Sequence, residues 1–586
     1  MNGNFYMTTT TLTTWHSWLG PVNRTQKLAL RTFLFCFSLF VGGSIYTRVI
    51  LPSGAFGWDE AAHALRGLII ADDIKQGDWL GFLYDSYRQV YWPPGHSWLT
   101  GIAFLIGEPS RVTARAVSLI SFVMAASAIY LAALQLTKRN SELAAIIAGT
   151  LFMTSPSLIT FASLSMLEIP GLLFLILTFL AYFKLSHAPG SSPRPYVLLG
   201  LAITATYFIR SNYAILVFLA IFINSLIEAE FRPQSLLTRN NLYAVLPMLV
   251  VFPIWFAYPP KLIDTWRMLI NQPFGVTDPF SLAGFLFYPL AFFRVSGSVW
   301  TFALLLSSLV LGLRFRHDKN IRFLIALVLI QVFIGQVHQT KVDRMVFPAM
   351  PALFLLAGYV LARWWNSGNQ GKTRMWSWGP RLAVAVIFCS SVNLFVNSLR
   401  PSSMSYDSDV IRYIAAAAPE NDTTLLIGSM DMHNPSPPVL DWHLAVNQDL
   451  MAATQSGATV DWEVVQKLAA NLNGRVIPTW LSDTILPVLS RGEHSRRIRS
   501  LYLGLPSYAS YSQSPEGLGR FLRVMAGRYA FDCAIVITSL ASDARYAVEF
   551  TDSGLHAVGL SRLSTEKFTN ANVRIDVYRR AANLTS

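Results

Sequence analysis

Residues 25–50, TQKLALRTFLFCFSLFVGGSIYTRVI, and the stretch that follows at 55–75, AFGWDEAAHALRGLIIADDIK, decide how this chain is read. The first is long enough to cross a bilayer, which takes about 20 apolar residues. It lacks a small-residue cleavage site and is too long for a signal core, so it reads as an uncleaved span. The second places Asp59, Glu60 and His63 together just beyond that span, in a chain otherwise poor in charge.

The apolar character extends over most of the sequence. Of 586 residues, 53% are hydrophobic and 13% charged; a soluble domain carries about a quarter charged residues. Mean hydropathy is +0.41. Spans are expected near 29–50, 113–136, 142–162, 169–186, 196–212, 213–229, 242–258, 296–313, 322–338, 345–365 and 381–398. The segments 98–107 and 281–293 are also apolar, so the expected count is eleven to thirteen. The formal charge of +13 does not signal nucleic acid, because much of the Lys and Arg sits in short loops between apolar runs. Three cysteines, Cys36, Cys389 and Cys533, form neither a disulfide framework nor a metal spacing.

Basic loops alternate with acidic ones. Arg24, Lys27, Arg31, Lys138, Arg139, Arg232, Arg239 and the run 314–322 fall on one side, which the positive-inside rule makes cytoplasmic. The expected organisation is a cytoplasmic tail (1–28), a membrane domain (29–398) with a long first outer loop (51–111), and an extracytoplasmic α/β domain (399–586). In the last part TTLLIGSMD, DCAIVITSL and NVRIDVYRR read as strands, and SDVIRYIAAAAP and PEGLGRFLRVMAGRY as helices. The inverted repeat common in transporters is not evident, and neither is a charge in mid-span. A transporter or flippase of lipid-linked sugars is the alternative reading, and a non-catalytic glycan- or lipid-binding protein a third.

In the first loop Asp59, His63 and Arg66 are spaced i, i+4, i+7 and share one helix face. Paired carboxylates at a membrane surface supply a general base. They equally suit a divalent cation such as Mg²⁺ or Mn²⁺ held by Asp59, Glu60 and His63, with His96 assisting, or the dipole of a helix start. Tyr84, Tyr87, Tyr91, Trp92 and Trp98 crowd the same loop around Pro93–Pro94. Such rings serve as an interfacial belt or stack on sugar faces and isoprenoid chains. Arg88 is a candidate phosphate contact or a partner of Asp85. Further along, Glu168 lies at an outer span end among apolar residues, where an ionisable group is costly. Arg210, His338, Lys341 and Arg344 break the cytoplasmic bias of basic residues. Outward cations suit a bound anion such as a lipid phosphate, or snorkel to headgroups.

WDEAAHA after the first span, YWPPGHSWL in the same loop, ARAVSLI (114–120), SLSMLEIP and KVDRMVFPAMPALFLLAG, in that order, resemble the GT-C membrane glycosyltransferases. The likeness is to the branch of protein O-mannosyltransferases and lipid A aminoarabinose transferases, over roughly residues 25–400. It implies a polytopic helical fold and an inverting sugar transfer from a polyprenyl-phosphate donor to a lipid, glycan or protein acceptor at the outer face; a bacterial inner membrane is the expected location, with periplasm or another lumen outside. It makes Asp59 the base, Glu60 its neighbour, Glu168 the second acidic position, and Lys341 and Arg344 contacts to the donor phosphate. Trp92 stands where the aminoarabinose transferases have Lys, and Ala62 and His63 where they have Arg-Tyr. These departures weigh against aminoarabinose transfer and leave Arg88 as the expected replacement cation. Tyr91, Trp92, His96 and Arg210 complete the expected substrate-binding set. Metal dependence varies within these enzymes, and the sequence forces no metal.

Overall fold

The structure is a computed structural model. It describes most of residues 24–417, with short interruptions, and beyond them 423–429, 498–503, 531–540, 552–569 and 573–580. The helices in chain order are α1 (Arg24–Ile45), α2 (Trp58–Gln76), α3 (Trp79–Tyr87), α4 (Gly95–Ile106), α5 (Arg111–Leu136), α6 (Ser141–Thr154), α7 (Pro156–Ala162) and α8 (Glu168–His187). There follow α9 (Arg194–Ile209), α10 (Ser211–Glu228), α11 (Arg239–Trp255), α12 (Leu282–Ser296), α13 (Val299–Gly312), α14 (Lys319–Val337), α15 (Met350–Gly368), α16 (Arg374–Ser398) and α17 (Ser408–Ala417).

Seven described helices are long and apolar enough to cross a bilayer, or nine when each of two bent pairs counts as one. Among the shorter helices α4 and α9 are apolar as well. Side-chain contacts identify the ends. At one end Arg210 meets Glu168, and Trp255 packs on Phe208. At the other, Ser186 bonds Asn320, Arg322 meets Glu228, and Arg363 lies over Phe315. Helices α8 and α10 each reach from one set to the other.

Two apolar segments depart from simple spans. The run 142–162, expected as one helix, bends by 62° at Ser155. Ser155 precedes Pro156 and is extended (ψ 118°), because the proline ring disfavours a helical residue before it; Pro156 then starts α7. The apolar 281–293 forms α12, which meets α13 at 118°. Gly297 makes that corner with φ +74°, a conformation costly for other residues. Both ends of α12 lie at the same end of the bundle: Pro279 accepts from Gln336, and Arg294 pairs with Asp343. It therefore lies along the boundary rather than crossing.

The first loop folds as a helical cap. Helices α2 and α4 approach closely through glycines, since a Cβ on Gly67 would fall 2.5 Å from Thr100 Cγ2 and one on Gly101 2.8 Å from Ile70 Cγ2. Trp98 stacks between Phe82 and Phe208 and donates to Ser86 Oγ, tying α4 to α3 and α9.

The C-terminal strands β1 (Thr423–Ser429), β2 (Ile498–Leu503), β3 (Phe531–Ser539), β4 (Leu560–Phe568) and β5 (Val573–Arg580) form one mixed sheet of order β2-β1-β3-β5-β4. The β1 pairings with β2 and β3 are parallel; β5 is antiparallel to both β3 and β4. Val410 and Ile414 of α17 cover one face, against Cys533, Ile535, Ile537, Val573, Ile575 and Val577. The expected helix at 515–529 lies outside the described residues.

Candidate functional site

The site is built where α2 begins. Gly57 is extended and caps the helix, and its N–H donates to Glu60 Oε2 at 2.9 Å. Glu60 then takes three more donors. Arg115 gives Nε to Oε1 at 2.9 Å and Nη2 to Oε2 at 3.2 Å, and the Ser165 N–H gives 2.9 Å to Oε1. The two side chains are only 6% and 1% exposed. Arg115 also donates to Gly54 O, and its guanidinium lies over the Phe56 ring. Glu60 thus fastens three segments distant in sequence: the start of the first loop, the start of α5 and the turn before α8. The sequence placed Glu60 beside the base as a catalytic partner; with its lone pairs facing four N–H groups, the structure puts it in a buried fork–fork pair instead.

That clamp leaves Asp59 facing the other way. Asp59 Oδ2 accepts from Arg344 Nη1 at 2.9 Å, both side chains 32% exposed. The same Nη1 is 3.5 Å from Glu168 Oε1, and Arg210 Nη2 is 3.2 Å from that oxygen. Glu168 is fully buried at the first residue of α8, where the helix dipole favours an anion. Arg210 sits at the break between α9 and α10 with extended backbone. Gly171 admits it: a Cβ there would come within 3.0 Å of Arg210 Cβ and 3.1 Å of the Tyr213 ring. Asp59, Arg344, Glu168 and Arg210 thus form a line of alternating charges drawn from four parts of the chain.

Behind Asp59, on the same face of α2, the His63 ring packs on Trp92 at 4.4 Å and on His96 at 5.1 Å, and the Arg66 guanidinium lies 4.9 Å over Trp92. Both histidines are buried, and neither ring nitrogen of His96 has a hydrogen-bond partner among the described residues. Burial, reinforced by His96, Arg66, Arg210 and Arg344, holds the His63 pKa well below its ordinary value. Burial, with Arg210 second, brings that of His96 down to about 4. Both rings are neutral at pH 7.

Lys341, expected at the donor phosphate, is buried and donates to Gly335 O and Gln336 O, both at 2.8 Å, over the Tyr288 ring. It satisfies carbonyls left open at the end of α14, as cations do at helix C-termini. Arg88 and Tyr91 lie outside the described residues. The trio Asp59, Glu60 and His63 does not make a ligand set, since Glu60 is taken by Arg115 and Asp59 by Arg344; no group of three metal-binding side chains occurs among the described residues. The sequence motifs contain Arg115, Ser165 and Tyr213 but assign a role to none of them. Only the spatial meeting of 60, 115 and 165 singles the first two out.

Solved structures share this architecture. ArnT from Cupriavidus metallidurans, bound to undecaprenyl phosphate, matches with a TM-score of 0.50 at 14% identity, covering 95% of this chain and 98% of that one. The archaeal oligosaccharyltransferase AglB from Archaeoglobus fulgidus, in complex with an inhibitory peptide and a dolichol-phosphate, matches with 0.50 at 11% identity, covering 96% and 75%. The arabinofuranosyltransferase AftD from Mycobacteria matches with 0.50 at 14%, covering 94% of this chain and 41% of its own. The fold is that of the GT-C membrane glycosyltransferases. The family model of dolichyl-phosphate-mannose-protein mannosyltransferase matches residues 76–269. The match contains Glu168 and Arg210, whereas Asp59 and Arg344 lie on either side of it. None of the curated proteins matches the chain in sequence.

Proposed function

We propose that this protein transfers a sugar from a polyprenyl-phosphate donor to an acceptor hydroxyl at the outer face of the membrane, with inversion, and that Asp59 is the base. The observation that carries this reading is the convergence of Asp59, Arg344, Glu168 and Arg210 at one end of a helical bundle. Two structures sharing the fold hold polyprenyl phosphates.

Asp59 takes the proton of the acceptor hydroxyl. The acceptor oxygen bonds to the anomeric carbon from the face opposite the phosphate. The bond from that carbon to the phosphate oxygen breaks, and its electron pair stays on the phosphate. Arg344 and Arg210, already in place, offset the charge that develops there. Glu168 holds the two guanidiniums in register. Trp92 packs on His63 and under Arg66 behind the base.

The opposite end of the bundle is rich in cations, among them Arg232, Arg239, Arg314, Arg316, Lys319 and Arg322, which supports a cytoplasmic assignment for it. The site and the C-terminal α/β region, which follows the site-end exit of α16, then face outward from a cell inner membrane.

The test incubates purified protein with radiolabelled polyprenyl-phosphate sugars and a membrane extract. Wild type consumes donor and labels an acceptor. General base catalysis is worth about 10²–10⁴-fold, so Asp59→Asn lowers transfer by at least about 100-fold. Near-normal transfer by that variant removes Asp59 from the role. Donor moved intact across a vesicle membrane, with no acceptor labelled, returns the protein to the flippase reading.

A further inference from the structure

The charges of the site balance before any substrate arrives. Arg344 faces Asp59 at 2.9 Å and Glu168 at 3.5 Å, and Arg210 faces Glu168 at 3.2 Å. Several other described cations make contacts of their own: Lys341 on the end of α14, Arg115 on Glu60, Arg294 on Asp343, and Arg66 over the Trp92 ring. A phosphodiester brings another negative charge. In a partly buried site an anion without a cation is costly, so a phosphate bound at Arg344 competes with the carboxylates already paired there.

Burial decides which carboxylate gives way. Glu168 is 0% exposed, and stripping it of arginine would strand a carboxylate without water. Asp59 is 32% exposed, and water can take over its lone pairs. Resting on the donor assignment above, we infer that Asp59 occupies the anion position of Arg344 in the ligand-free protein, and that the donor phosphate binds by displacing it. Arg344 keeps its contact with Glu168 and exchanges one anion for another. Asp59 is then released towards the acceptor with its lone pairs available for the hydroxyl proton.

Two consequences follow for the reaction. The base is tied up until donor is present, so donor binds before acceptor, and an acceptor alone meets a carboxylate already bonded to arginine. The product, a polyprenyl phosphate monoester, carries about −1.5 to −2 charge at pH 7. It therefore competes with Asp59 for Arg344 more strongly than the donor does, which makes lipid product release slow.

The exchange has a readout independent of turnover: the affinity of the purified full-length protein for undecaprenyl phosphate, measured in a chelator-containing buffer. Asp59→Asn removes the internal competitor. Partly exposed ion pairs are weak, so the gain is about two- to five-fold tighter binding. Arg344→Gln binds more weakly than wild type. In Asp59→Asn/Arg344→Gln the gain from Asp59→Asn disappears, because the contested cation is gone. A melting temperature near that of wild type shows that each variant folds. Equal or weaker binding by Asp59→Asn, with Arg344→Gln still impaired, overturns the exchange and leaves the donor reading standing. Unchanged binding by Arg344→Gln overturns the donor reading, and the exchange falls with it.

Discussion

Glu60→Gln separates a positioning role from a chemical one. In the wild type the carboxylate faces Gly57 N–H, Ser165 N–H and two nitrogens of Arg115. Glutamine keeps one acceptor oxygen but turns an NH₂ towards at least one of those donors and leaves the 1% exposed Arg115 charge without its counter-ion. Breaking a buried pair on one side costs about 3–5 kcal/mol. The retained amide oxygen places this change near about 3 kcal/mol, the lower end of that range. Asp59 is the next residue and Glu168 lies three beyond Ser165, so loosening the clamp moves both ends of the charged line. A misplacement of about 1 Å is worth roughly 100-fold in rate. The expected result is a lowered melting temperature together with roughly 100-fold slower transfer at saturating donor. Arg115→Met shows a similar loss, and the double variant Glu60→Gln/Arg115→Met is less damaged than the sum of the two, with a coupling of about 0.5–3 kcal/mol. Wild-type melting and wild-type rate in Glu60→Gln would refute the clamp. Lost transfer at an unchanged melting temperature, with additive single variants, would instead return Glu60 to the chemistry.

Gly171→Ala forces a methyl to within 3.0 Å of Arg210 Cβ. Overpacking of that kind costs about 1–3 kcal/mol, and here it pushes Arg210 off Glu168; unchanged melting and transfer would show that the helix pair has slack. His96 is neutral in the fold, with its pKa lowered to about 4 from an unfolded value of 6.5. Its contribution to stability is fully present above pH 6.5 and is lost as pH falls towards 4, because the unfolded chain takes up the proton first. The melting temperature should drop between pH 7 and pH 5, and His96→Phe should flatten that drop; an identical pH dependence in the variant excludes His96 as its source. Lys341→Met removes the ammonium from the end of α14 and lowers melting while leaving undecaprenyl phosphate affinity as it was. Weakened lipid binding there would restore Lys341 to the phosphate.

The membrane fold was legible because it is a matter of composition. A segment in hydrocarbon must satisfy its own backbone and present apolar side chains, and both needs are written locally. The break at Ser155 could be read from Pro156, whereas α12 could not be told from a span. Its 15 residues are as apolar as a crossing helix, and only Pro279 and Arg294, held at the same end, show that it does not cross. In the C-terminal sheet β1, β3 and β5 announced themselves by their apolar patterns. Six of the nine residues of β4 are exposed; it is an edge strand paired to β5, and LSRLSTEKF carries little sign of it.

The sequence by itself determined that the chain is a polytopic helical membrane protein, and it marked the first loop, Glu168 and the late basic motif as candidate site segments. Each of those features lies within a few neighbouring residues. The tertiary structure decided how the charges are shared. Asp59 and Glu60 are adjacent in the chain, yet one faces Arg344 and the other Arg115, because successive helical positions point about 100° apart and meet different neighbours. Arg344 and Lys341 share one short motif, yet one reaches the carboxylates and the other closes a helix end. Partnership across 285 positions depends on which helix ends the packing brings together, and no local pattern encodes that.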